Sequence, residues 1–292
     1  MQMRISDAVF VYLLQDEDQI RWHSRTHTHN PNEYELHYFI GGTGSFKNAG
    51  VKRSLSPGSL FICAPGDVHT VMPASSTDPI TYYAILFKAD RQDEEFNSLL
   101  ENIISSGKNY QVGTNYRFFF EELKDKFLSH NKARVNSGVH QLISFLYMLE
   151  VGAGDFHYSD ASNSHIERSL KIMQDKVFNK LTLEQLAGRL KLNKSYFIRL
   201  FSRKMNITPM KYFTRLKIEA ASSMLLSTSL PIYEISEKLC FYSEFHFSKS
   251  FKQHKGLPPR DYRAFYSLNP IERDVIQIQG CNRQNRNTVY IN

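Results

Sequence analysis

An internal repeat in the C-terminal half is the feature that most constrains how this chain can fold. Two segments about fifty residues apart carry aromatic, proline and basic residues at matching positions. The matching pairs are Phe197 with Phe247, Arg199 with Lys249, Phe201 with Phe251, Pro209 with Pro259, and Tyr212 with Tyr262. Upstream of them, Leu186 and Ile235 also match, but their separation is one residue shorter than that of the other pairs. The turn of the second copy therefore contains one extra residue. Such a duplication indicates one structural unit used twice.

Each copy has the pattern of a helix-turn-helix unit, in which a short helix, a turn and a second helix pack together. In the first copy Thr182 is the expected N-cap, with Gln185 three residues on, and 191–193 form the turn. In the second copy Ser243 is the expected cap of the second helix. The positions expected to face inward are Leu186, Ala187, Leu190, Phe197, Leu200 and Phe201, and then Ile235, Ser236, Leu239, Phe247, Ser250 and Phe251.

Outward positions near the start of each second helix are the candidate DNA contacts, because such residues reach base edges in the major groove. The predicted DNA-binding residues are Lys194, Ser195, Tyr196, Ile198, Arg199 and Arg203 in the first copy, and Glu244, Phe245, His246 and Lys249 in the second. Base contacts are expected from Ser195, Ile198, Arg199, His246 and Lys249.

Between the copies, 208–227 reads as one amphipathic helix about 30 Å long. Successive turns of the major groove lie about 34 Å apart, so this helix can hold two recognition helices in adjacent turns.

The charge distribution agrees with this interpretation. Residues 161–268 contain 19 Lys and Arg and 8 Asp and Glu, a net charge of +11, whereas 1–160 contain 14 and 19, a net charge of −5. A basic half attracts a polyanion by releasing its counterions. The alternative is a helical bundle with no role in nucleic-acid binding.

Residues 166–265 resemble the DNA-binding domain of the AraC/XylS family of transcription regulators. The segments that carry the resemblance are 183–187 (LEQLA), 196–201 (YFIRLF), 207–212 (ITPMKY), 215–226, 232–235 and 247–263. The chain departs from the family at Cys240 and Asn206, where members usually have Gly, although Asn tolerates the same left-handed backbone. Glu244 and Phe245 stand where the family often has polar base-reading side chains, so Phe245 is expected to contact a thymine methyl group instead.

The N-terminal half begins with short strand-like runs separated by turns. The runs are 8–14, 35–40, 59–63 and 81–87, and turns are expected at 41–44, 56–58 and 64–67. This pattern is typical of an antiparallel barrel or sandwich. From about residue 93 to 150 the apolar spacing becomes helical, which predicts two or three helices beside the barrel. We therefore expect a two-domain α+β protein, with a first domain in 1–150, a linker in 151–165, a double helix-turn-helix domain in 166–266 and a tail in 267–292. The family resemblance implies that the first domain binds an effector, and its helices are the expected dimerisation surface.

The N-terminal half also resembles the two motifs of the cupin barrel, the usual sensor domain of this family. The resemblance rests on His27, His29, Glu35, Gly42 and the segment 57–69. It implies a small polar effector, such as a sugar or related metabolite, inside the barrel. The candidate lining residues are Trp22, His23, Arg25, His27, His29, Glu35, Tyr38 and His69. Cupin enzymes hold a divalent metal through such residues, and the corresponding set here is His27, His29, Glu35 and His69.

The sequence thus predicts a DNA-binding regulator that is controlled by a small molecule, requires no cofactor and is not an enzyme. The expected partners are double-stranded promoter DNA, the effector, a second copy of the chain through the helices of 93–150, and RNA polymerase. A cytoplasmic location is expected, since no run of about 18 apolar residues occurs and the three cysteines lie far apart. The alternative is a metal-dependent cupin enzyme or metal sensor with an appended DNA-binding domain. Single-stranded nucleic acid is a weaker alternative, because no strand carries a basic aromatic platform. Activation and repression both stay open.

Overall fold

The computed structural model describes residues 3–14, 32–75, 77–105, 110–151 and 161–268. The chain divides into two compact units, Met1–Glu167 and Arg168–Asn292. Of the predicted linker, 161–165 lie in a helix and 152–160 fall outside the described residues, as do 269–292 of the predicted tail. None of the described helices combines the length and the hydropathy that a lipid bilayer would require of a spanning segment.

Two antiparallel sheets form the core of the N-terminal unit. Their strands are β1 (Met3–Leu14), β2 (Glu33–Gly41), β3 (Gly44–Asn48), β4 (Val51–Leu55), β5 (Ser59–Cys63), β6 (His69–Pro73), β7 (Ile80–Ala89) and β8 (Tyr110–Gln111). The larger sheet has the order β1-β7-β2-β5-β8 and the smaller has the order β4-β3-β6. The prediction of an antiparallel β-rich domain in this half of the chain is therefore confirmed.

The larger sheet is buried on both faces, since alternate residues of a strand point to opposite sides. On β2, Leu36 and Tyr38 belong to a core shared with helices. The next residue, Phe39, belongs to a second core shared with the smaller sheet. In that second core Phe46 of β3 stacks on Phe61 of β5, with their ring centroids 4.4 Å apart. One sheet therefore supplies side chains to two separate cores.

Three helices cover the first face of the larger sheet, as the helical spacing in 93–150 predicts. They are α1 (Glu94–Ser105), α2 (Arg117–Phe127) and α3 (Lys132–Val151). Between α2 and the sheet lies a buried ion pair, in which Lys124 Nζ donates to Glu121 Oε1 at 2.8 Å. The hydroxyl of Tyr83 on β7 donates to the other oxygen of Glu121, also at 2.8 Å. These hydrogen bonds satisfy charged groups that would otherwise be costly to bury.

Helices make up the described part of the C-terminal unit. They are α4 (Ala161–Asp175, which begins before the unit boundary), α5 (Leu183–Arg189), α6 (Lys194–Met205), α7 (Pro209–Ser227), α8 (Ile232–Lys238), α9 (Glu244–Lys255) and α10 (Pro259–Leu268). The repeat is seen directly: α5 and α6 form one helix-turn-helix unit and α8 and α9 form the other. Each helix-turn-helix unit is followed by a helix that begins with proline. Proline suits the first position of a helix because the N–H of a residue there has no partner within the helix, so its absence costs nothing.

The predicted caps set the ends of these helices. The Thr182 hydroxyl accepts from the Gln185 N–H while the Gln185 side chain accepts from the Thr182 N–H, which completes a capping box. The Ser243 hydroxyl accepts from the His246 N–H at the start of α9. At the far end of α6, Asn206 adopts a left-handed φ of 54°. The local sequence therefore determines where α5 and α9 begin and where α6 ends.

Candidate functional site

The start of α6 presents a continuous polar and basic surface. Phe197, Leu200 and Phe201 are buried, so the residues between them are turned outward. Of the six predicted DNA contacts in this copy, Lys194, Ser195, Tyr196, Arg199 and Arg203 are exposed and Ile198 is partly exposed. Lys194 Nζ donates to the exposed Glu184 of α5 at 2.8 Å. All six side chains are therefore exposed to solvent, fully or in part.

The corresponding surface of α9 is more aromatic. Glu244, Phe245, His246 and Lys249 are all accessible at this surface, as the sequence predicts. The side chain of Phe245 is 79% exposed, and that of Tyr242, the extra residue of the second turn, is 97% exposed. Exposed aromatic side chains at these positions can make apolar contacts with a partner that surface basic residues cannot make.

Both turns require a left-handed residue directly after the C-cap of the first helix. Lys191 has φ 56° in the first copy and Cys240 has φ 52° in the second. A β-carbon makes this conformation unfavourable, and so glycine is usual at such a position. Cys240 therefore adopts the left-handed backbone conformation that glycine usually provides at this position, although its β-carbon makes that conformation less favourable.

Hydrogen bonds join α7, the helix between the two helix-turn-helix copies, to the second copy and to α10. Lys217 of α7 is buried, and its Nζ donates to the Leu239 carbonyl of the second turn at 2.6 Å. Burial lowers the pKa of this ammonium group. Near the C-terminal end of α7, the Arg263 guanidinium donates to the carbonyls of Leu225 at 3.0 Å and Leu230 at 2.6 Å. These bonds tie the second helix-turn-helix unit and the helix that follows it to α7.

A second cluster of polar side chains lies between the two sheets of the N-terminal unit. His69 Nε2 lies 3.0 Å from Glu35 Oε2, and His37 Nε2 lies 3.5 Å from Glu35 Oε1. One ligand atom from each of His37, Cys63 and His69 lies within 4.8 Å of the others. Cys63 is the residue directly opposite Glu35 in the β2–β5 pairing. Burial, together with the nearby carboxylates of Glu35 and Asp67, raises the pKa of the Cys63 thiol.

Only part of the predicted effector site falls within the described residues. Trp22, His23, Arg25, His27 and His29 all lie outside them. Glu35 and His69 do meet between the sheets.

Tyr38 requires a correction, because it lies on the opposite face of β2, in the core shared with the helices. There its hydroxyl donates to the Gly113 carbonyl at 2.9 Å and accepts from the Tyr116 N–H at 3.2 Å. Tyr38 therefore has a structural role and does not face Glu35.

Sequence reasoning missed His37 and Cys63 as members of this cluster. A signal for His37 was present, because it lies two residues after Glu35 on one strand and so points to the same side. Cys63 carries no such signal, since its place opposite Glu35 depends on the register of β5 against β2.

Comparison with known proteins agrees with this division of the chain. Residues 10–106 match a family model described as an AraC-like ligand binding domain. Residues 186–264 match a model described as a helix-turn-helix domain. The two matches fall in the N-terminal and C-terminal units respectively.

Curated relatives cover most of the chain. A transcriptional regulator from Escherichia coli, YdiP, is 25% identical over 89% of this chain and 87% of its own length. The raffinose operon regulatory protein RafR of Pediococcus pentosaceus is 25% identical, and the lactose operon transcription activator of Staphylococcus xylosus is 23% identical. Each of these two covers 80% of this chain and 85% of its own length. The chain therefore belongs to the AraC family of transcription regulators, which carry a ligand-binding domain and a DNA-binding helix-turn-helix domain and are not enzymes.

Proposed function

We propose that this regulator binds a specific promoter sequence with α6 and α9 and that a sugar or related metabolite, bound in the N-terminal unit, controls the binding. The DNA-binding part of this proposal rests on one observation: the starts of α6 and α9, one in each copy of the repeat, are exposed. In the proposal Ser195, Ile198 and Arg199 read one half-site, while His246 and Lys249 read the other. Exposed Lys and Arg side chains elsewhere on the unit contact phosphates.

The geometry of α7 supports simultaneous binding by both copies. Its 19 residues span about 28 Å at about 1.5 Å per residue, close to one turn of duplex DNA. We propose that Phe245 contributes an apolar contact to a thymine methyl group, which would give the second half-site a preference for T.

Two relatives support a sugar effector, because their names assign them to raffinose and lactose operons. The polar groups that the structure places between the sheets, Glu35 and His69, are suited to bind hydroxyl groups. We propose that Trp22, His23, Arg25, His27 and His29 complete this site. Further parts of the proposal are a homodimer formed through α1–α3, a contact with RNA polymerase at the promoter, and action in the cytoplasm, where bacterial promoters lie.

Selection from a random duplex pool tests the DNA-binding proposal, since it requires no chosen operator sequence. The full chain is expected to select two half-sites whose centres lie about 10 base pairs apart. Arg199→Ala is expected to lose preference in one half-site and about 1–3 kcal/mol of affinity, and Lys249→Ala to do the same in the other. The matched control is Lys47→Ala, which removes an exposed cation from β3 and leaves selection unchanged. Unaltered selection by both helix variants would refute the assignment.

A thermal-shift screen of sugars tests the effector proposal separately. A ligand of the folded N-terminal unit raises Tm in proportion to the logarithm of its concentration above Kd. The screen is repeated with the selected duplex, because a controlling effector must bind differently to the DNA-bound and free states. If no sugar shifts Tm while DNA selection succeeds, the effector class is wrong and the DNA assignment stands.

A further inference from the structure

The cluster between the two sheets is chemically unlike the core around it. Its neighbours are aromatic: the ring of His37 lies 5.2 Å from that of Phe46 and 5.6 Å from that of Tyr82. His37, Cys63 and His69 are nevertheless no more than 5% exposed. Ligand atoms of His37, Cys63 and His69 converge within 4.8 Å of one another. Such a group of imidazole nitrogens and a sulfur is suited to a transition-metal ion.

We propose that Glu35, His37, Cys63 and His69 form a binding site for a divalent transition-metal ion of the Zn²⁺ class. Three strands supply the ligands: β2 gives Glu35 and His37, the end of β5 gives Cys63, and the start of β6 gives His69. Zinc binds imidazole nitrogen at about 2.0–2.1 Å and thiolate at about 2.3 Å, which separates tetrahedral ligand atoms by about 3.3–3.8 Å. The spacings given above lie within about 1 Å of that range, so small side-chain rotations would close the site.

The donor set determines which ion fits. Thiolate and imidazole favour zinc and neighbouring transition metals, whereas magnesium and calcium prefer oxygen ligands alone. The formal charges also agree. One carboxylate, one thiolate and two neutral imidazoles carry a charge of −2, which a divalent cation neutralises inside the low-dielectric core. An ion in this position would also separate the Cys63 sulfur from the like charge of Glu35.

A supporting layer holds the ligand strands in place. Asp67 Oδ2 accepts from the Ala64 N–H, directly after Cys63, at 3.0 Å. The same oxygen accepts from Asn48 Nδ2 at 3.0 Å, and Asn48 is the cross-strand partner of His69. One carboxylate thus links the backbone next to Cys63 to the strand paired with His69, and so helps to hold the two ligand strands in place.

This site differs from the one that the cupin resemblance implies. That set takes two imidazoles from His27 and His29, which lie outside the described residues. The site proposed here takes an imidazole from His37 and a sulfur from Cys63, so it has a thiolate ligand that the cupin set lacks. The difference provides a direct spectroscopic test, because only a thiolate ligand gives a sulfur-to-metal charge-transfer band.

The test uses the full chain, stripped with EDTA and titrated with Co²⁺ and then with Zn²⁺. We expect one Co²⁺ per chain, intense tetrahedral d–d absorption and a thiolate charge-transfer band, all of which Zn²⁺ abolishes by displacement. Cys63→Ser should lose the charge-transfer band, and His37→Ala and His69→Ala should lose stoichiometric binding. Asp67→Asn should weaken binding about 10- to 100-fold while leaving the band intact.

Two controls keep the result decisive. Cys240→Ser removes the partly exposed thiol of the second turn and should leave the spectrum unchanged. The spectrum of the unaltered chain decides the question even if a ligand variant fails to fold. Absence of stoichiometric Co²⁺ binding, binding without a thiolate band, or a band that survives in Cys63→Ser would each overturn the proposal. In that event the cluster is only a hydrogen-bonded group of side chains. Neither DNA nor sugar enters the assay, so the DNA-binding proposal does not depend on its result, whereas a positive result would assign Glu35 and His69 to the metal rather than to the effector.

Discussion

Replacing Lys124 by methionine should destabilise the N-terminal unit severely, because it strips a buried carboxylate of its cation. Methionine keeps most of the apolar stem but removes the ammonium that lies 2.8 Å from Glu121 Oε1. The Glu121 side chain is only 1% exposed, so water does not replace the lost partner. Breaking one side of a buried ion pair costs about 3–5 kcal/mol. The loss of the cation–π contact with the ring of Phe10, at 5.3 Å, adds to this cost.

Lys126 on the same helix is the matched control. Its Nζ lies 3.0 Å from Glu122 Oε1, but both side chains are partly exposed, at 17% and 29%. Such an i,i+4 pair contributes about 0.3–0.5 kcal/mol. In a unit of this size, 1 kcal/mol shifts Tm by about 2–4 °C. Lys124→Met is therefore expected to lower Tm by about 6–20 °C, and Lys126→Met by about 2 °C or less.

Differential scanning calorimetry of the full chain measures these shifts, and hydrogen exchange of α2 peptides assigns the transition to the N-terminal unit. Removing both charges, in Glu121→Gln with Lys124→Met, should recover most of the loss, since no ion then remains buried. Equal losses in the two lysine variants, or no recovery in the double variant, would refute the reasoning.

Three further predictions concern glycine and cysteine positions. Gly44→Ala should lower the free energy of unfolding by about 3 kcal/mol or more in urea denaturation, because the new β-carbon would overlap the Met72 carbonyl oxygen. Gly41→Ala should cost much less, since its β-carbon would meet only Thr81, at 3.6 Å. Cys240→Gly should stabilise the C-terminal unit by about 0.5–1 kcal/mol by relieving a φ of 52°, and Cys240→Ala, which keeps a β-carbon, should not. In EDTA at neutral pH, mass spectrometry should find Cys63 alkylated far more slowly than Cys240, because burial and a raised pKa keep its thiol protonated. Its rate should increase with pH and should match that of Cys240 in urea, and equal rates in the native state would contradict this prediction.

The C-terminal unit could be predicted from the sequence in detail because its determinants are local. Thr182, Ser243 and Asn206 act on backbone groups within a few residues, and the apolar period places Phe197 and Phe247 inward in either copy. The repeat also shows each structural position twice, so that a prediction made for one copy could be compared with the other. Local hydrogen bonds and periodicity thus specify both the helix ends and the exposed surface.

The cluster in the N-terminal unit could be predicted only in part, because it depends on pairing between strands distant in sequence. Glu35 and His69 were identified from motif positions, but Cys63 comes into place through the β2–β5 register. The prediction that Tyr38 lines the effector site was wrong for a simpler reason. Tyr38 lies an odd number of residues from Glu35, and so the two side chains point to opposite faces of the sheet. Strict use of the two-residue period would have chosen His37 and excluded Tyr38.

The doubly buried sheet has a consequence for substitutions along β2. Neighbouring residues of this strand contribute to separate layers: Leu36 and Tyr38 support the helices, whereas Glu35 and His37 set the chemistry between the sheets. Point substitutions can therefore retune the chemistry between the sheets at little expense to the scaffold. A single-residue insertion within β2 has the opposite effect, since it would swap the two sets and disrupt both cores together.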